Sequence, residues 1–391
     1  MRLFTCSYYC LFILILSLGS GQTAKAQDPQ LSQYYHYRVV YNPAMTNYEG
    51  GMQGQVFHRN QWMRTGWQNG DYSRFSTQGA SFSTETPCRV WNFGLLYLEN
   101  TEGVGDMRWQ HIGLASAYRS PELNPSGKFK HQFSIGFKMS YNLYSLTRSD
   151  DFLFSDQFDN FSITNPLSGF WAGRNPLLPS SFIDVDLGAV WVSKRINGNR
   201  IRLGAAVQHF AIPDRSVIGV TDLIGAKPVF HVSYLWDETP EKMGFDQVNY
   251  MMKWEAQNWP ANFRLIPPFN VNRDPVPVYH NFQAGMIGTF RGPTRMHLGA
   301  FMQGSWGTPD QITEVDNIFS ATGLVGIDQP LGDFNMRIGL SYDLNFMHTD
   351  VYGSAELSVK FIRTNFSFNP YCKCGQYSTG RKKRLMTYDP F

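Results

Sequence analysis

The sequence predicts an all-β protein, specifically a transmembrane antiparallel up-and-down outer-membrane β-barrel of about 14 strands. Three observations indicate this fold class: apolar and polar residues alternate over many segments, long and short connections alternate between those segments, and tryptophans fall near the segment ends. A period of two with every apolar residue on one side marks a strand with one face out of water. In a soluble sandwich that face is the core, whereas in a membrane barrel it faces lipid and the polar residues line the lumen.

The alternation is clearest in segment 132–143, where every second residue from Phe133 to Leu143 is apolar and the residues between are small or polar. Segment 334–345 repeats the pattern. Each predicted strand is near the nine to eleven residues or so that cross a bilayer at a tilt. The strands are predicted at 52–60, 75–85, 90–98, 107–119, 128–144, 181–192, 200–210, 228–236, 246–257, 277–290, 294–306, 315–327, 333–347 and 353–362.

The connections favour the barrel over the sandwich. The even-numbered ones are mostly short, at 86–89, 193–199, 291–293 and 328–332. The odd-numbered ones include the long stretches 61–74, 145–180, 211–227 and 258–276. Outer-membrane barrels show this asymmetry, with the short turns in the periplasm. An even number of strands then places both ends of the barrel sequence on the periplasmic side.

The composition of the 391-residue chain fits the same fold. Aromatic residues make up 15%, and tryptophans lie near predicted strand ends, as an interfacial girdle requires: Trp62, Trp91, Trp191, Trp236 and Trp306. The net charge of +3 gives no reason to expect a nucleic-acid partner. The chain has no internal apolar run of membrane-helix length, which excludes helical spanning.

The first 26 residues resemble an export signal. Arg2 supplies the positive charge, residues 11–18 are apolar, and residues 24–26 (Ala-Lys-Ala) fit a cleavage site. We therefore expect residues 1–26 to be a signal peptide and the processed chain to start at Gln27.

Three further parts follow the signal peptide in the expected organisation. Residues 27–51 either plug the lumen or lie in the periplasm, and residues 52–362 form the barrel. Residues 363–391 form a periplasmic tail that ends in a basic run at 381–384. A basic run of this kind is usually solvated, and the alternative is docking to a periplasmic partner.

Three cysteines remain after signal removal, too few for a disulfide scaffold. Cys88 lies on a predicted periplasmic turn, on the same side as Cys372 and Cys374 in the tail. A disulfide from Cys88 to either tail cysteine is therefore possible in an oxidising compartment. Non-reducing mass spectrometry that finds only free thiols would remove this hypothesis.

No catalytic, cofactor or metal site is predicted. The nine histidines are scattered, and the chain lacks a nucleophile elbow, a zinc-protease helix motif, a P-loop and a dinucleotide-binding glycine pattern. His209 and His231 are the best-placed histidines, and each is interpreted as a strand-end residue hydrogen-bonded to a neighbour.

Charged residues on the polar faces of the strands allow two interpretations, a charged channel lining or a mixed-sign network that pairs internally. Mixed signs on neighbouring strands favour the network, because selective pores usually carry one sign. These residues are Lys138, Asp184, Asp186, Arg200, Arg202, Arg337, Asp343, Glu356 and Lys360.

Several segments, in order, resemble the PorP/SprF family of type IX secretion membrane proteins. They are 27–34 (QDPQLSQY), 41–44 (YNPA), 59–62 (RNQW), 204–209 (GAAVQH) with Pro213, 231–234 (HVSY), 338–343 (IGLSYD) and 353–356 (GSAE). The family-motif positions within them are Asn42, Pro43, Asn60, Gln61, Trp62, Gly204, His209, Pro213, His231, Tyr234, Tyr342, Asp343 and Glu356. Val217 replaces a usual aromatic residue, and the cysteine-containing basic tail has no counterpart in the family.

The resemblance implies an outer-membrane component of the type IX secretion and gliding apparatus, with no catalytic residues to carry over. The implied partners are periplasmic ring and trunk proteins and secreted adhesins with C-terminal sorting domains. The motif residues are interpreted as fold-holding positions, with Gly204 and Gly339 allowing close strand packing and Asn42-Pro43 forming a turn. The hypotheses are therefore a scaffold or cargo-docking barrel, a passive porin or hydrophobic-solute transporter, and, least favoured, an outer-membrane hydrolase.

Overall fold

Fourteen strands close into one antiparallel barrel in the computed structural model, and two short strands pair separately. The structure describes residues 29–61, 75–86, 90–102, 107–124, 127–146, 158–159, 162–163, 180–196, 198–215, 223–237, 245–257, 278–290, 292, 294–307, 318–346 and 353–363. The first strands are β1 Met52–Gln61, β2 Phe75–Glu85, β3 Trp91–Glu102, β4 Met107–Arg119, β5 Phe129–Leu146, β6 Phe158–Asp159, β7 Ser162–Ile163 and β8 Ser180–Arg195. The others are β9 Arg200–Gln208, β10 Lys227–Trp236, β11 Gln247–Gln257, β12 Tyr279–Phe290, β13 Arg295–Gly307, β14 Ile318–Leu331, β15 Phe334–Asn345 and β16 Ser354–Arg363.

Each barrel strand pairs with the next one along the chain, β5 pairs with β8, and β1 closes the barrel on β16. The small pair β6–β7 lies within the connection between β5 and β8. The predicted up-and-down barrel of 14 strands is therefore confirmed. The strand ends that are joined by the long connections 62–74, 147–179, 209–226 and 258–278 all lie at one end of the barrel, called here the long-loop end; the other is the short-turn end.

The predicted turn at 328–332 is longer than the turn that the structure contains. Strand β14 continues to Leu331, and only Gly332 and Asp333 connect it to β15. Asp328 pairs in register with Arg337, and their side chains form an ion pair inside the barrel. Asp328, which suggested a turn, is thus an inward-facing strand residue, and Gly332 takes the positive φ of 61° that the tight turn requires.

Burial is inverted relative to a water-soluble protein. Large apolar side chains point outward and are exposed, for example Ile135 at 60% and Leu114 at 59%. Charged side chains point inward and are almost completely buried, such as Arg337 at 1% and Glu356 at 0%. Soluble monomers rarely expose contiguous apolar surface of this extent, so hydrocarbon is the medium that fits the outer face.

Among the described residues, no helix is long and apolar enough to cross a membrane.

Stacked aromatic rings mark the outer surface near the long-loop end. Phe230, Trp254, His280 and Trp306 follow one another across β10–β13, with ring centroids 5.5–5.7 Å apart. We call these four residues the long-side belt. Aromatic rings with polar atoms favour the boundary between hydrocarbon and water.

Aromatic pairs also lie near the short-turn end. Trp91 packs against Tyr118 at 5.3 Å, and His131 stacks on Trp191 at 5.7 Å. On β13, Met296 lies near the short-turn end and Trp306 belongs to the long-side belt. Strand residues rise roughly 3.3 Å each and tilt about 40°, so this separation corresponds to a height of about 25 Å, the thickness of the apolar band of a membrane barrel.

Candidate functional site inside the barrel

Residues 29–51, the N-terminal segment, lie inside the barrel against the inward faces of the strands. The segment contains a single helical turn, α1 Arg38–Tyr41, and a 3₁₀ turn, Pro43–Met45. Its apolar residues form a buried cluster with inward side chains of the strands, including Phe57 and Phe301. The segment supplies Leu31, Tyr34, Tyr35, Tyr37 and Tyr41 to this cluster. The segment therefore provides an apolar core inside a barrel whose own inner face is largely polar.

An ion-pair cluster holds the start of the segment toward the long-loop end. The Ser32 hydroxyl donates to the Asp343 carboxylate at 2.7 Å, and the backbone N–H groups of Ser32 and Gln33 donate to Glu356 at 2.8 and 3.2 Å. Arg59 Nη2 lies 2.7 Å from Asp343 Oδ2, and its Nη1 lies 3.4 Å from Glu356 Oε2. Arg59 also donates to the Ser32 hydroxyl. These five residues, the Arg59 cluster, tie the segment to β1, β15 and β16.

A second cluster holds the end of the segment toward the short-turn end. Glu49 Oε1 lies 2.9 Å from Lys360 Nζ, 3.2 Å from Arg337 Nη1 and 3.8 Å from Arg38 Nη1. Arg337 is shared with Asp328, at 2.9 Å. We call these five residues the Glu49 cluster. One carboxylate of the segment thus helps to neutralise buried cations on two strands, Arg337 on β15 and Lys360 on β16.

Asn42 fastens the middle of the segment. Its side-chain oxygen accepts from the Ala44 N–H at 2.9 Å, which caps the 3₁₀ turn. Its amide nitrogen donates to the carbonyls of Ala189 and Ala205 at 3.2 Å and lies 3.1 Å from His231 Nε2. The turn predicted at Asn42-Pro43 is present, and the Asn42 side chain additionally bonds to the backbone of β8 and β9.

Inward-facing glycines make room for the segment. A Cβ on Gly136 would lie closer than 3.0 Å to the backbone of Pro43 and Ala44, and one on Gly188 would strike the Asn42 amide. A Cβ on Gly339 would strike the Gln33 side chain. It would also lie 2.8 Å from the Ser358 hydroxyl oxygen on the neighbouring strand β16. The sequence-based interpretation of Gly339 as a residue for close strand packing is therefore only part of the reason, because the segment also fills space above this glycine.

Gly204 fits the same interpretation, because its space is filled from the neighbouring strand β10. A Cβ there would strike the His231 ring on the neighbouring strand. His231 lies in the middle of β10, so its interpretation as a strand-end residue is wrong. The absence of a Cβ at Gly204 leaves room for the His231 imidazole, whose Nε2 lies 3.1 Å from the Asn42 amide nitrogen.

Gly136→Ala is expected to loosen the segment. An alanine in a strand is ordinarily no worse than glycine, but here the new methyl group overlaps backbone that cannot rotate away, an overpacking that costs about 1–3 kcal/mol. Unfolding of the detergent-solubilised protein in urea would measure the cost, and proteolysis between residues 29 and 51 would report the loosening. Gly323→Ala is the matched control, because a Cβ there meets nothing within 4 Å. Equal effects of the two substitutions would contradict the packing described here.

A third cluster of inward-facing charged side chains lies on β5, on β8 and just after the end of β9. His209 Nδ1 lies 2.6 Å from Asp184 Oδ2, and Lys138 Nζ lies 2.6 Å from Asp186 Oδ2. Potential ligand atoms of Asp184, Asp186 and His209 fall within 4.8 Å of one another, a spacing that could hold a cation. The Lys138 ammonium already neutralises Asp186, so the arrangement works as an ion-pair network. Together with the two clusters above, it favours the internally paired interpretation of the inward charges.

The remaining predicted positions are spread around the barrel. Tyr234 and Tyr342 point outward and are partly exposed, and Asn60 and Gln61 end β1. Pro213 follows β9, and its carbonyl accepts from the Ile224 N–H at 2.8 Å. Of the motif positions, the structure brings Asp343 and Glu356 together in the Arg59 cluster and Asn42 together with His231. Trp62, Cys88, Cys372 and Cys374 lie outside the described residues, so the disulfide stays a prediction.

Sequence reasoning missed the polar residues of the segment, above all Ser32, His36 and Glu49. One available signal was charge balance, because Arg337 and Lys360 face the lumen and need a partner, and Glu49 lies directly before the first strand. Which strand residues the segment contacts, however, depends on closure of the barrel, and the alternation of residues within a strand does not indicate these contacts.

Comparison with known proteins gives one family. A family model described as type IX secretion system membrane protein PorP/SprF matches residues 23–361. No curated protein matches this chain.

Solved structures that resemble the chain are barrels. A FadL homologue of Pseudomonas aeruginosa is 8% identical, with a TM-score of 0.44 over 83% of this chain and 93% of the other. The toluene transporter TodX of P. putida is 10% identical, with a TM-score of 0.41 over 84% and 93%. The CymD monoaromatic hydrocarbon channel is 12% identical, with a TM-score of 0.40 over 88% and 93%. At these identities and TM-scores, the likenesses have no bearing on what this chain binds.

Proposed function

Because the chain belongs to the PorP/SprF family of type IX secretion system membrane proteins, we propose that it is a non-enzymatic outer-membrane scaffold of that machinery, which docks cargo or partner proteins. The observation that supports this role most is the filled lumen. Residues 29–51 are fastened at both ends by buried ion pairs and in the middle by Asn42. A lumen occupied in this way suits a scaffold better than a passive porin or hydrophobic-solute transporter, which needs an open path.

The proposed location is the outer membrane, with the short turns in the periplasm. The segregation of long connections to one end supports this orientation, because outer-membrane barrels carry long loops outside and short turns inside. The long-side belt and the aromatic pairs at the other end support a bilayer of ordinary thickness between them. Secretion-system partners follow from the family. The specific partners proposed are periplasmic ring or trunk proteins at the short-turn end and secreted adhesins with C-terminal sorting domains at the long-loop end.

The proposed docking surface for cargo is the connection between β5 and β8. Loops on a rigid frame commonly carry binding function, and the sequence of this connection is rich in aromatic residues. These residues are Phe152, Phe154, Phe158, Phe161, Phe170 and Trp171. Most of the connection lies outside the described residues, so the proposal rests on its sequence and on where the ends of β5 and β8 place it.

Deletion of residues 151–176 is expected to abolish cargo association while the barrel still inserts. Co-purification from gently solubilised membranes would measure association, and heat-modifiable migration on gels would report the folded barrel. Deletion of residues 261–275 from another long connection is the control, since that stretch carries only two aromatic residues, Phe263 and Phe269. Unchanged association after the 151–176 deletion would contradict a docking role for this loop. Loss after both deletions would contradict its specificity.

A further inference from the structure

We infer that the N-terminal segment crosses the lumen, so that the amino terminus of the processed chain opens at the long-loop end, on the opposite membrane face from the C-terminal tail. The assignment of the long-loop end to the cell surface rests on the proposed function; the crossing does not. An even number of strands alone predicts that both termini share one face. The path of residues 29–51 separates them.

The lower end of the crossing is fixed at the short-turn end. Gly51 leads directly into β1, whose first residue Met52 pairs with Arg363, the last residue of β16. Asn47 donates to the Gly51 carbonyl at 3.1 Å and to Asn92 at 3.2 Å, and Asn92 is the second residue of β3. The chain therefore enters the barrel at the same rim at which β16 leaves it.

The upper end of the crossing lies at the level of the long-side belt. Ser32 contacts Arg59, Asp343 and Glu356, which lie close to the long-loop ends of their strands. On the other side of the barrel, Gln30 lies 3.3 Å from Lys253, next to Trp254 of the belt.

Intermediate residues step between these two levels in order. Val40 contacts Lys138 near the middle of β5, and Ala44 accepts a hydrogen bond from Ser134, closer to the short-turn end of that strand. Lys360 in the Glu49 cluster also lies nearer to the short-turn end of β16 than Glu356 in the Arg59 cluster. The segment thus descends from Gln30 to Gly51 along the barrel axis.

With processing after Ala26, as the sequence predicts, two residues, Gln27 and Asp28, precede Pro29. Two extended residues span about 7 Å, far less than the roughly 25 Å height of the apolar band. They cannot return to the short-turn end, least of all through a lumen that the segment itself fills. The processed amino group is therefore available to a partner only from the long-loop end.

Cysteine labelling in intact cells tests the crossing. Cys88, Cys372 and Cys374 are first replaced by serine. A flexible Gly-Ser spacer of about ten residues carrying one cysteine is then inserted between Gln27 and Asp28. Two control substitutions are made separately in the same cysteine-free protein. Asn270→Cys, in a long connection, reports the membrane face at the long-loop end, and Ser378→Cys, in the tail, reports the opposite face. A membrane-impermeant maleimide is applied before and after lysis.

We expect the N-terminal cysteine to label together with Asn270→Cys in intact cells, and Ser378→Cys to label only after lysis. Labelling of the N-terminal cysteine together with Ser378→Cys would overturn the crossing. If the N-terminal cysteine and Asn270→Cys both label only after lysis while Ser378→Cys labels from outside, the crossing stands and the proposed orientation fails.

Discussion

Removal of residues 29–50 is expected to convert a silent barrel into a conducting one. The full chain should give no steady ion conductance in a planar bilayer, because its segment fills the lumen with tyrosines and two ion-pair clusters. Without the segment, a barrel of 14 strands encloses an open lumen. The lining of this lumen carries positive side chains (Arg and Lys) as well as negative ones (Asp and Glu), so we expect only a weak preference between cations and anions.

A second variant guards against misfolding of the shortened chain. A protease site placed between Gly50 and Gly51, both at positive φ near the barrel rim, lets the barrel fold with its segment in place. Cleavage followed by a mild urea wash should then release the segment and give the same conductance as the deletion. Steady conductance of the uncleaved full chain would contradict an occluded lumen and favour the passive channel. Silence of the cleaved, washed barrel would show that something other than the segment closes it.

The second large effect is expected from Arg59→Ala. Arg59 and Asp343 are both almost fully buried, and the guanidinium also contacts Glu356 and the Ser32 hydroxyl. Removing one partner of a buried ion pair leaves the other charges uncompensated, which costs about 3–5 kcal/mol. Denaturant unfolding in detergent would measure the global cost, and proteolysis of residues 29–51 would show whether the segment is released first.

Arg363→Ala is the matched control for this substitution. Arg363 pairs with Asp333 at 3.4 Å in a partly exposed position at the short-turn end, where an ion pair is worth at most about 1 kcal/mol. The double substitution Arg59→Ala with Asp343→Ala should cost less than the sum of the two single changes, because the second change removes a charge that the first left unpaired. If Arg59→Ala destabilises the protein no more than Arg363→Ala does, the Arg59 cluster does not stabilise the fold as described here.

The barrel strands could be predicted from the sequence because their signal is local. Each strand is marked by alternation within about ten residues. The predicted segments 246–257 and 315–327 alternate less clearly than the others, yet they correspond to β11 Gln247–Gln257 and β14 Ile318–Leu331. Errors arose where an inward residue resembles a turn residue. Asp328 is such a case, because a polar side chain facing a polar lumen looks the same in sequence as one facing water.

The contents of the lumen could not be predicted in the same way. Ser32 and Asp343 are 311 residues apart in the chain, and their contact exists only once β1 has closed on β16. Glycines such as Gly136 and Gly188 could be assigned to the inward face by their alternation, but what they make room for depends on where the segment lies. The sequence left two alternatives for residues 27–51, a plug in the lumen or a periplasmic segment. The alternation of apolar and polar residues in the strands is the same in both cases, so it could not decide between them.

Hydroxyl-radical footprinting of the unmodified protein in liposomes tests the central claim most directly, namely that lipid covers the outer faces and the N-terminal segment fills the lumen. Tyrosine is readily oxidised when water reaches it. The predicted result is strong protection of Tyr34, Tyr35, Tyr37 and Tyr41, which are buried by the barrel. Outward residues such as Ile135 and Leu114, which are exposed on the protein but covered by hydrocarbon, should be protected too. Oxidation of the four tyrosines at the rate of a free peptide would contradict the filled lumen, and oxidation of the outward aliphatic residues would contradict the membrane-spanning barrel.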